Sequence, residues 1–335
     1  MRQLGWWVSS SGCVSLRRPA HRRASFSIQT ERKLFMIYTI TFNPSLDYVV
    51  TLSQLQVGAI NRNQAEEIFP GGKGINVSWI LQNLGVPTRI LGFKAGFTGD
   101  EIQRLVEERG IPCSLLPVES GFSRINVKIR AEEETALNGK GPEVTPAHLD
   151  RLWQQLEALT EGDILVLSGS GPSGCAPSLY GDIAGKMHQR NIPCVVDATG
   201  KLLAGALSAH PFLVKPNGEE LEDLLGRKLP DDEALTQGAR ELQERGARNV
   251  LISLGGDGAL LVDETGKVHR HQAPKGTMVN TVGAGDSMVA GFLAGYLRNK
   301  DYGEALHWGI CAGSATAFTM HLAEKEAIEQ LVKGN

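Results

Sequence analysis

Asn280-Thr281-Val282-Gly283-Ala284-Gly285-Asp286-Ser287, followed by the uncharged apolar run Met288 to Leu297, is the segment of this chain best equipped for chemistry. Gly283, Ala284 and Gly285 are small enough for a tight turn whose backbone N–H groups point one way. Such a turn, opening into a helix, makes an anion hole. Asp286 falls at the helix entrance, where the positive end of the dipole favours its ionised form. A carboxylate beside an anion hole suits phosphoryl transfer: the base takes a hydroxyl proton while the amides hold the transferring group. The plainer alternative is that Asp286 only caps the helix.

Four further segments carry usable groups. Pro70-Gly71-Gly72-Lys73-Gly74-Ile75-Asn76-Val77 sets three glycines and a lysine at a helix start, but Gly74 stands where a Walker A loop needs Ser or Thr. Its glycines let a ligand approach the backbone, and Asn76 can bond sugar hydroxyls. Asn43-Pro44-Ser45-Leu46-Asp47 closes a strand with a carboxylate suited to a pair of hydroxyls. Lys215-Pro216-Asn217-Gly218-Glu219-Glu220 places Asn217 and Glu220 on one helix face. That pair suits a largely hydrated Mg²⁺ and equally suits an N-cap with its capping box. Ser253-Leu254-Gly255-Gly256-Asp257-Gly258 follows a buried strand and offers bare backbone to nucleotide phosphates. Gly169-Ser170-Gly171-Pro172-Ser173-Gly174 matches GxGxxG, with Asp197 about where a ribose-binding acid belongs. Pro177 argues against a dinucleotide fold, because the helix there should already be under way.

These segments sit at the joints of a regular alternation. Strands are expected at 36–41, 88–93, 164–167, 194–197, 212–215 and 249–254, with a hairpin over 259–271. Helices are expected over Ile75–Leu84, around Ile102–Val106, from Pro146 behind Thr145, around Leu179–Met187, and through Leu221–Leu225. Such alternation predicts a mostly parallel sheet covered on both faces. Polar-faced stretches near 47–69 and 123–137 fit that sheet poorly and are expected to form a small β-layer over its edge, a lid.

The 335 residues, 41% of them apolar, suffice for a substantial core, and a net charge of −3 gives no footing for nucleic acid or an anionic membrane. Cys13, Cys113, Cys175, Cys194 and Cys311 are widely spaced and form no CxxC, as expected of reduced thiols in the cytoplasm. His269 and His271 share a strand face that solvation explains better than a metal. No apolar run is long enough to span a bilayer. Residues 1–35 differ from the rest: Arg2, Arg17, Arg18, Arg22 and Arg23 occur among serines with no acid before Glu31. The composition fits a mitochondrial transit peptide. A misassigned start, with Met36 as the true first residue, is the stronger reading. Glu31-Arg32-Lys33 can be encoded by a purine-rich ribosome-binding sequence, and the first strand begins directly at Met36.

Together the motifs resemble the ribokinase-like carbohydrate kinases, and within them the phosphosugar kinases, from Met36 to about Lys333. Thr41 to Asp47, Gly71 to Val77, Arg124 to Lys128 and Thr281 to Ser287 are most similar to the 1-phosphofructokinase branch, with tagatose-6-phosphate kinases as its neighbour. The resemblance implies a layered α/β/α core, a β-sheet lid that often serves as a dimer interface, and ATP with Mg²⁺. It implies that Asp286 deprotonates the C6 hydroxyl of fructose 1-phosphate, giving fructose 1,6-bisphosphate and ADP, over an anion hole of Gly283, Ala284 and Gly285. Asn217 and Glu220 would organise Mg²⁺ through water, Lys215 would approach the ATP phosphates, and Ser253 to Gly258 would line the nucleotide side. Asp47, Gly72, Lys73, Asn76, Arg124 and Asn138 would hold the phosphosugar. The chain departs from the pattern at Ala136, where a Glu is usual, and at Gly171, where a bulky residue is usual. Glu134, two residues before Ala136, is a substitute carboxylate on the same face. A catalytically weak sugar-phosphate binder and a nucleotide-dependent oxidoreductase are the competing function classes.

Overall fold

The computed structural model describes residues 35–334, so the expected leader, residues 1–35, lies outside the described residues but for Phe35. The first half contains β1 (Ile37–Thr41), β2 (Ser45–Thr51), β3 (Ala65–Gly71), α1 (Lys73–Asn83), β4 (Thr88–Ala95), α2 (Gly96–Glu108), β5 (Cys113–Val118), β6 (Arg124–Arg130) and β7 (Thr135–Asn138). It continues through α3 (Pro146–Leu156), β8 (Ile164–Ser168), α4 (Leu179–His188), β9 (Cys194–Asp197), α5 (Gly200–Leu207), β10 (Leu213–Val214), α6 (Gly218–Leu225) and α7 (Asp232–Glu244). The last part holds β11 (Asn249–Ser253), β12 (Ala259–Val262), β13 (Val268–His271), α8 (Ala284–Asn299), α9 (Tyr302–Ala317) and α10 (Lys325–Gly334).

Nine strands form one sheet in the order β13-β12-β11-β10-β9-β8-β1-β4-β5. Neighbours pair in parallel from β11 to β5, and only the β12–β13 hairpin introduces antiparallel pairing. The central strands are apolar on both faces because both faces are covered. On β8, Leu165 and Leu167 join a core with α3, α4, α5 and α7, while Ile164 and Val166 join one with α1, α8 and α9. The α3 start follows the sequence: Thr145 caps it, with Pro146 first in the helix.

The polar-faced stretches form a separate four-stranded sheet, β3-β2-β6-β7. Its register sets Asp47 against Phe69 and Asn126, Val49 against Lys128, and Lys128 against Ala136. Arg124, Asn126, Lys128 and Arg130 therefore share one face with Asp47, and the alternate residues Ile125, Val127 and Ile129 share the other. Leu46, from that second set, packs with Ile75, Trp79 and Ile102 and ties the small sheet to α1 and α2.

Candidate active site

Five neighbouring parallel strands, β1, β8, β9, β10 and β11, end on one side of the large sheet. Their carboxyl ends bring together Thr41, Ser168, Asp197, Lys215 and Ser253. In open α/β sheets ligands bind at this edge. The hydroxyls of Thr41 and Ser168 are buried there without a hydrogen-bond partner.

Gly283, with φ +81°, is the left-handed N-cap of α8. A Cβ at that position would lie 2.6 Å from Leu322 Cδ2, a side-chain tip that can shift, so it is the backbone conformation that favours glycine. The expected anion hole needs one correction: the Ala284 N–H already donates to Thr281 O at 3.2 Å. The amides of Gly283, Gly285 and Asp286 make no hydrogen bond with the described residues and form the open end of the helix.

Asp286 is 5% exposed and accepts a 2.8 Å hydrogen bond from Asn76 Nδ2. The helix dipole was expected to favour its ionised form. Instead burial, then the nearby Asp197 charge, push its carboxyl up to about 6 against the pull of Lys73, Asn76 and Lys215. Such a carboxylate is ionised at neutral pH yet basic enough to accept a hydroxyl proton.

Lys73, expected on the sugar side, meets a buried acid. Its Nζ lies 3.4 Å from Asp197 Oδ2, while Lys215 Nζ lies 3.2 Å from Asp197 Oδ1. Burial disfavours the Lys73 charge, but Asp197, Asp286 and Glu220 more than offset it and raise the amine above its usual range. Asp197 is buried, which alone would raise its carboxyl, but Lys215 and Lys73 hold it low. A Cβ on Gly285 would be 3.4 Å from Lys215 Nζ, which puts this amine beside the free amides. Two ammonium groups and three unpaired amides thus surround the ground in front of Asp286. A phosphoryl group in transfer needs such surroundings.

Two clefts meet at this turn. One is lined by Asp47, Gly71, Asn76, Trp79, Lys128 and Val282 among others. The second, about 470 Å³, is lined by Ser253, Gly255, Gly256, Gly258, Thr281, Ala284 and Gly285, with Lys275, Met278 and Phe318 opposite. Of the residues expected on the nucleotide side, Leu254 and Asp257 do not line it. Leu254 packs against the core, and Asp257 belongs to the 3₁₀ turn Gly255–Asp257 with its carbonyl bonded by Arg270.

On the sugar side Asp47 and Asn76 line the cleft, whereas Gly72, Lys73, Arg124 and Asn138 do not. Gly72 is the N-cap of α1. Arg124 Nε donates to Asn43 O at 3.0 Å, and Asn138 is an exposed partner of Asn126. Asp47 Oδ1 accepts from Ser45 Oγ at 2.6 Å and Asn126 Nδ2 at 2.8 Å, leaving Oδ2 unpaired. Gly71 permits this approach, since a Cβ there would lie 2.8 Å from Asp47 Cγ. Ala136 stands across from Lys128, and Glu134, just before β7, lines the cleft.

Asn217 and Glu220 form a capping box: Glu220 N donates to Asn217 Oδ1 at 2.7 Å and Asn217 N to Glu220 Oε2 at 2.9 Å. Both side chains are thereby fixed, with Glu220 Oε1 left unpaired and its charge felt at Lys73.

Asn126 and Gly71 were legible only as the polar face and the first glycine of their motifs. Asp197 reads from sequence as the acid of a GxGxxG unit. No helix opens at that motif, however, because α4 starts at Leu179, after Pro177, and Asp197 is occupied by two lysines. The oxidoreductase reading loses both its supports.

The model of the pfkB family carbohydrate kinases matches residues 40–326. The chain is 42% identical over 297 residues to a 1-phosphofructokinase of Bacillus subtilis, covering 89% of this chain and 97% of that one. It is 36% identical over 298 residues to a D-tagatose-1-phosphate kinase of Bacillus licheniformis, covering 88% and 97%. The structure of phosphofructokinase-2 from Escherichia coli superposes with a TM-score of 0.84 at 30% identity, over 89% of this chain and 98% of that one. With the site at the strand ends and the small sheet beside it, the chain belongs to the pfkB family of carbohydrate kinases.

Proposed function

We propose that this protein transfers the γ-phosphoryl group of ATP to the C6 hydroxyl of fructose 1-phosphate, giving fructose 1,6-bisphosphate and ADP. The observation that carries the reading is the place of Asp286: a buried carboxylate at an open helix end, where a sugar-sized cleft meets a nucleotide-sized one. The sugar enters past Asp47 and Asn76, and Asp286 takes the C6 proton as the oxygen attacks. The amides of Gly283, Gly285 and Asp286, with Lys73 and Lys215, offset the charge on the transferring group. ATP lies along Ser253, Gly255, Gly256 and Gly258. The hydroxyl oxygen gains the phosphoryl bond, ADP leaves with the bond electrons, and Asp286 holds the proton.

Magnesium fits the residues present. Among the described residues no three His, Cys, Asp or Glu side chains form a direct cage. Glu220 Oε1 and the Asn217 amide can instead hold the waters of a Mg²⁺ that travels with the nucleotide. When bound, the ion neutralises phosphate charge. The reading includes a homodimer through the lid, supported by Ile68 and Leu137, which are 51% and 60% exposed on the same face of the small sheet. A cytoplasmic location is supported by the free thiols of Cys113, Cys175 and Cys194.

The relatives named for a 1-phosphofructokinase and a D-tagatose-1-phosphate kinase favour a ketohexose 1-phosphate over a 6-phosphate. Coupled ADP release with Mg-ATP tests this, comparing fructose 1-phosphate, tagatose 1-phosphate, tagatose 6-phosphate and fructose 6-phosphate at equal concentration. The expected order puts fructose 1-phosphate first. Absence of turnover with every phosphosugar would leave only a binding protein, and a 6-phosphate in first place would overturn the substrate.

A further inference from the structure

Across the chain that follows β13 from the nucleotide cleft lies another cavity, of about 900 Å³. It is lined by His271, Gln272 and Lys275 at and beyond the end of β13, by His307 on α9 and by Gln330 on α10. Ala273, Pro274 and Lys275 line both spaces, so one short run of chain divides them. We propose that the outer cavity is an effector site for a small phosphate-bearing anion, whose binding weakens that of ATP across the shared wall. The effect on ATP rests on the proposed nucleotide cleft; the binding itself does not.

The polar lining is made of donors. Lys275 brings an ammonium, Gln272 and Gln330 bring amides, and His271 and His307 bring imidazoles, while among the described residues no carboxylate lines the cavity. The side chains of His271, Gln272, Lys275 and Gln330 make no hydrogen bond or ion pair with the described residues. Charged groups on the surrounding elements are already engaged. On β13, His269 and Arg270 meet Asp263 and Asp232. On α9, Glu304 accepts from Asn299, and on α10, Glu329 stands between Lys325 and Lys333. A phosphate carries three strongly accepting oxygens on one centre, which suits donors converging from three elements.

The two imidazoles face each other with ring centroids 5.9 Å apart. His307 is tied down: its Nε2–H donates to Val332 O at 3.1 Å, among the last carbonyls of α10, which lack partners inside the helix. Cys311 Sγ lies 3.9 Å from both nitrogens of that ring. His271 is free to respond. Burial, then His307 and His269, hold its ring below the usual histidine range. The empty cavity thus presents a neutral His271 at pH 7, and a bound anion reverses that preference by favouring the imidazolium. Binding therefore takes up protons and tightens as pH falls from 8 to 6. An anion that draws Lys275 to the outer side also withdraws it from the nucleotide side. The two ligands then oppose each other, and by linkage each weakens the other by the same factor.

The test is titration calorimetry of the full chain with inorganic phosphate and with sulfate, a dianion that does not itself titrate near neutral pH. Runs at pH 6, 7 and 8 in buffers of different ionisation enthalpy count the protons taken up. His271→Asn and His307→Gln remove the imidazoles, His188→Asn is the surface control, and melting curves verify folding. The wild type should show a saturable site, tighter at pH 6 than at pH 8, with proton uptake when sulfate binds at pH 7. Loss of a charged hydrogen bond in His271→Asn should weaken that site about tenfold or more and abolish the uptake. Saturating phosphate should raise the Kd for ATP about three- to tenfold and then level off. Competition at the catalytic turn would instead rise without limit and persist in His271→Asn. Both histidine variants should keep the wild-type KM for ATP when no phosphate is present. Anion binding that is absent, or unchanged in both histidine variants, overturns the site. Binding that needs His271 but leaves the Kd for ATP unmoved overturns the coupling. A wild type inert towards every phosphosugar would sink the proposed reaction, while the calorimetry still decides this site.

Discussion

Replacing Asp286 with asparagine exchanges a buried acid for a neutral side chain of the same shape, and the structure gives opposite signs for activity and stability. In the fold, burial and the Asp197 charge push the Asp286 carboxyl from 3.8 to about 6. The folded protein therefore holds this proton more tightly than the unfolded chain does. Any stability from that preference is complete below the unfolded value and is lost as pH rises through the folded one. Above pH 6 the ionised group is less comfortable in the fold than in water, by about two pKa units, or on the order of 3 kcal/mol. Asp286→Asn removes that cost and can keep the bond from Asn76. At pH 8 it should raise the melting temperature by several degrees. The gain should shrink towards pH 4, where the wild-type group is also neutral. Turnover should fall by about 10²–10⁴, the usual contribution of a positioned base. In the wild type, log kcat/KM should fall with unit slope below about pH 6. Thermal melts from pH 4 to 8 and coupled ADP release with fructose 1-phosphate provide both readings. A variant less stable than wild type at pH 8 would refute the strained-base argument, and near-normal turnover would remove Asp286 from the chemistry.

Asp197→Asn removes a charge that raises the Asp286 carboxyl, so the acid limb of kcat/KM should move to lower pH while kcat falls; a limb that stays or moves up contradicts the coupling. Glu220→Gln keeps an acceptor for the capping box but loses the charge, so the melting temperature should hardly move while activity needs more Mg²⁺; unchanged Mg²⁺ titration would reduce Glu220 to a cap. Gly71→Ala brings a Cβ to 2.8 Å from Asp47 Cγ. Overpacking of this kind costs about 1–3 kcal/mol, to be read as a higher KM for the sugar at constant KM for ATP. A chain starting at Met36 should match the full chain in melting temperature and activity, and a marked loss of either would show that residues 1–35 contribute.

Much of the site was legible because its parts are local. The Gly283–Asp286 turn, the capping box of Asn217 and Glu220, and the glycines around Ser253 are set by backbone geometry within a few residues, which types and spacing record directly. The alternation of strands and helices likewise announces a parallel sheet, because strands buried on both faces are apolar throughout, as on β8. The polar face of β6 was equally plain from its period of two, and with it the existence of a second, smaller sheet.

What only the tertiary structure decided concerns charges whose partners are distant in the chain. Lys73 meets Asp197 across 124 residues, and Asn76 meets Asp286 across 210. No pattern in the sequence says whether a lysine beside a glycine loop will face a ligand or a buried acid, because its long stem reaches either. The ionisation of Asp286 was misread for the same reason. The helix dipole is local and was counted, but burial by the assembled core and the charge of Asp197 arise only when β9 and α8 come together, and these dominate. Sequence therefore determined which groups are present and which short turns they occupy. Folding determined which of them share a dielectric and a field, and so how the charges of Asp286, Asp197 and Lys73 are set.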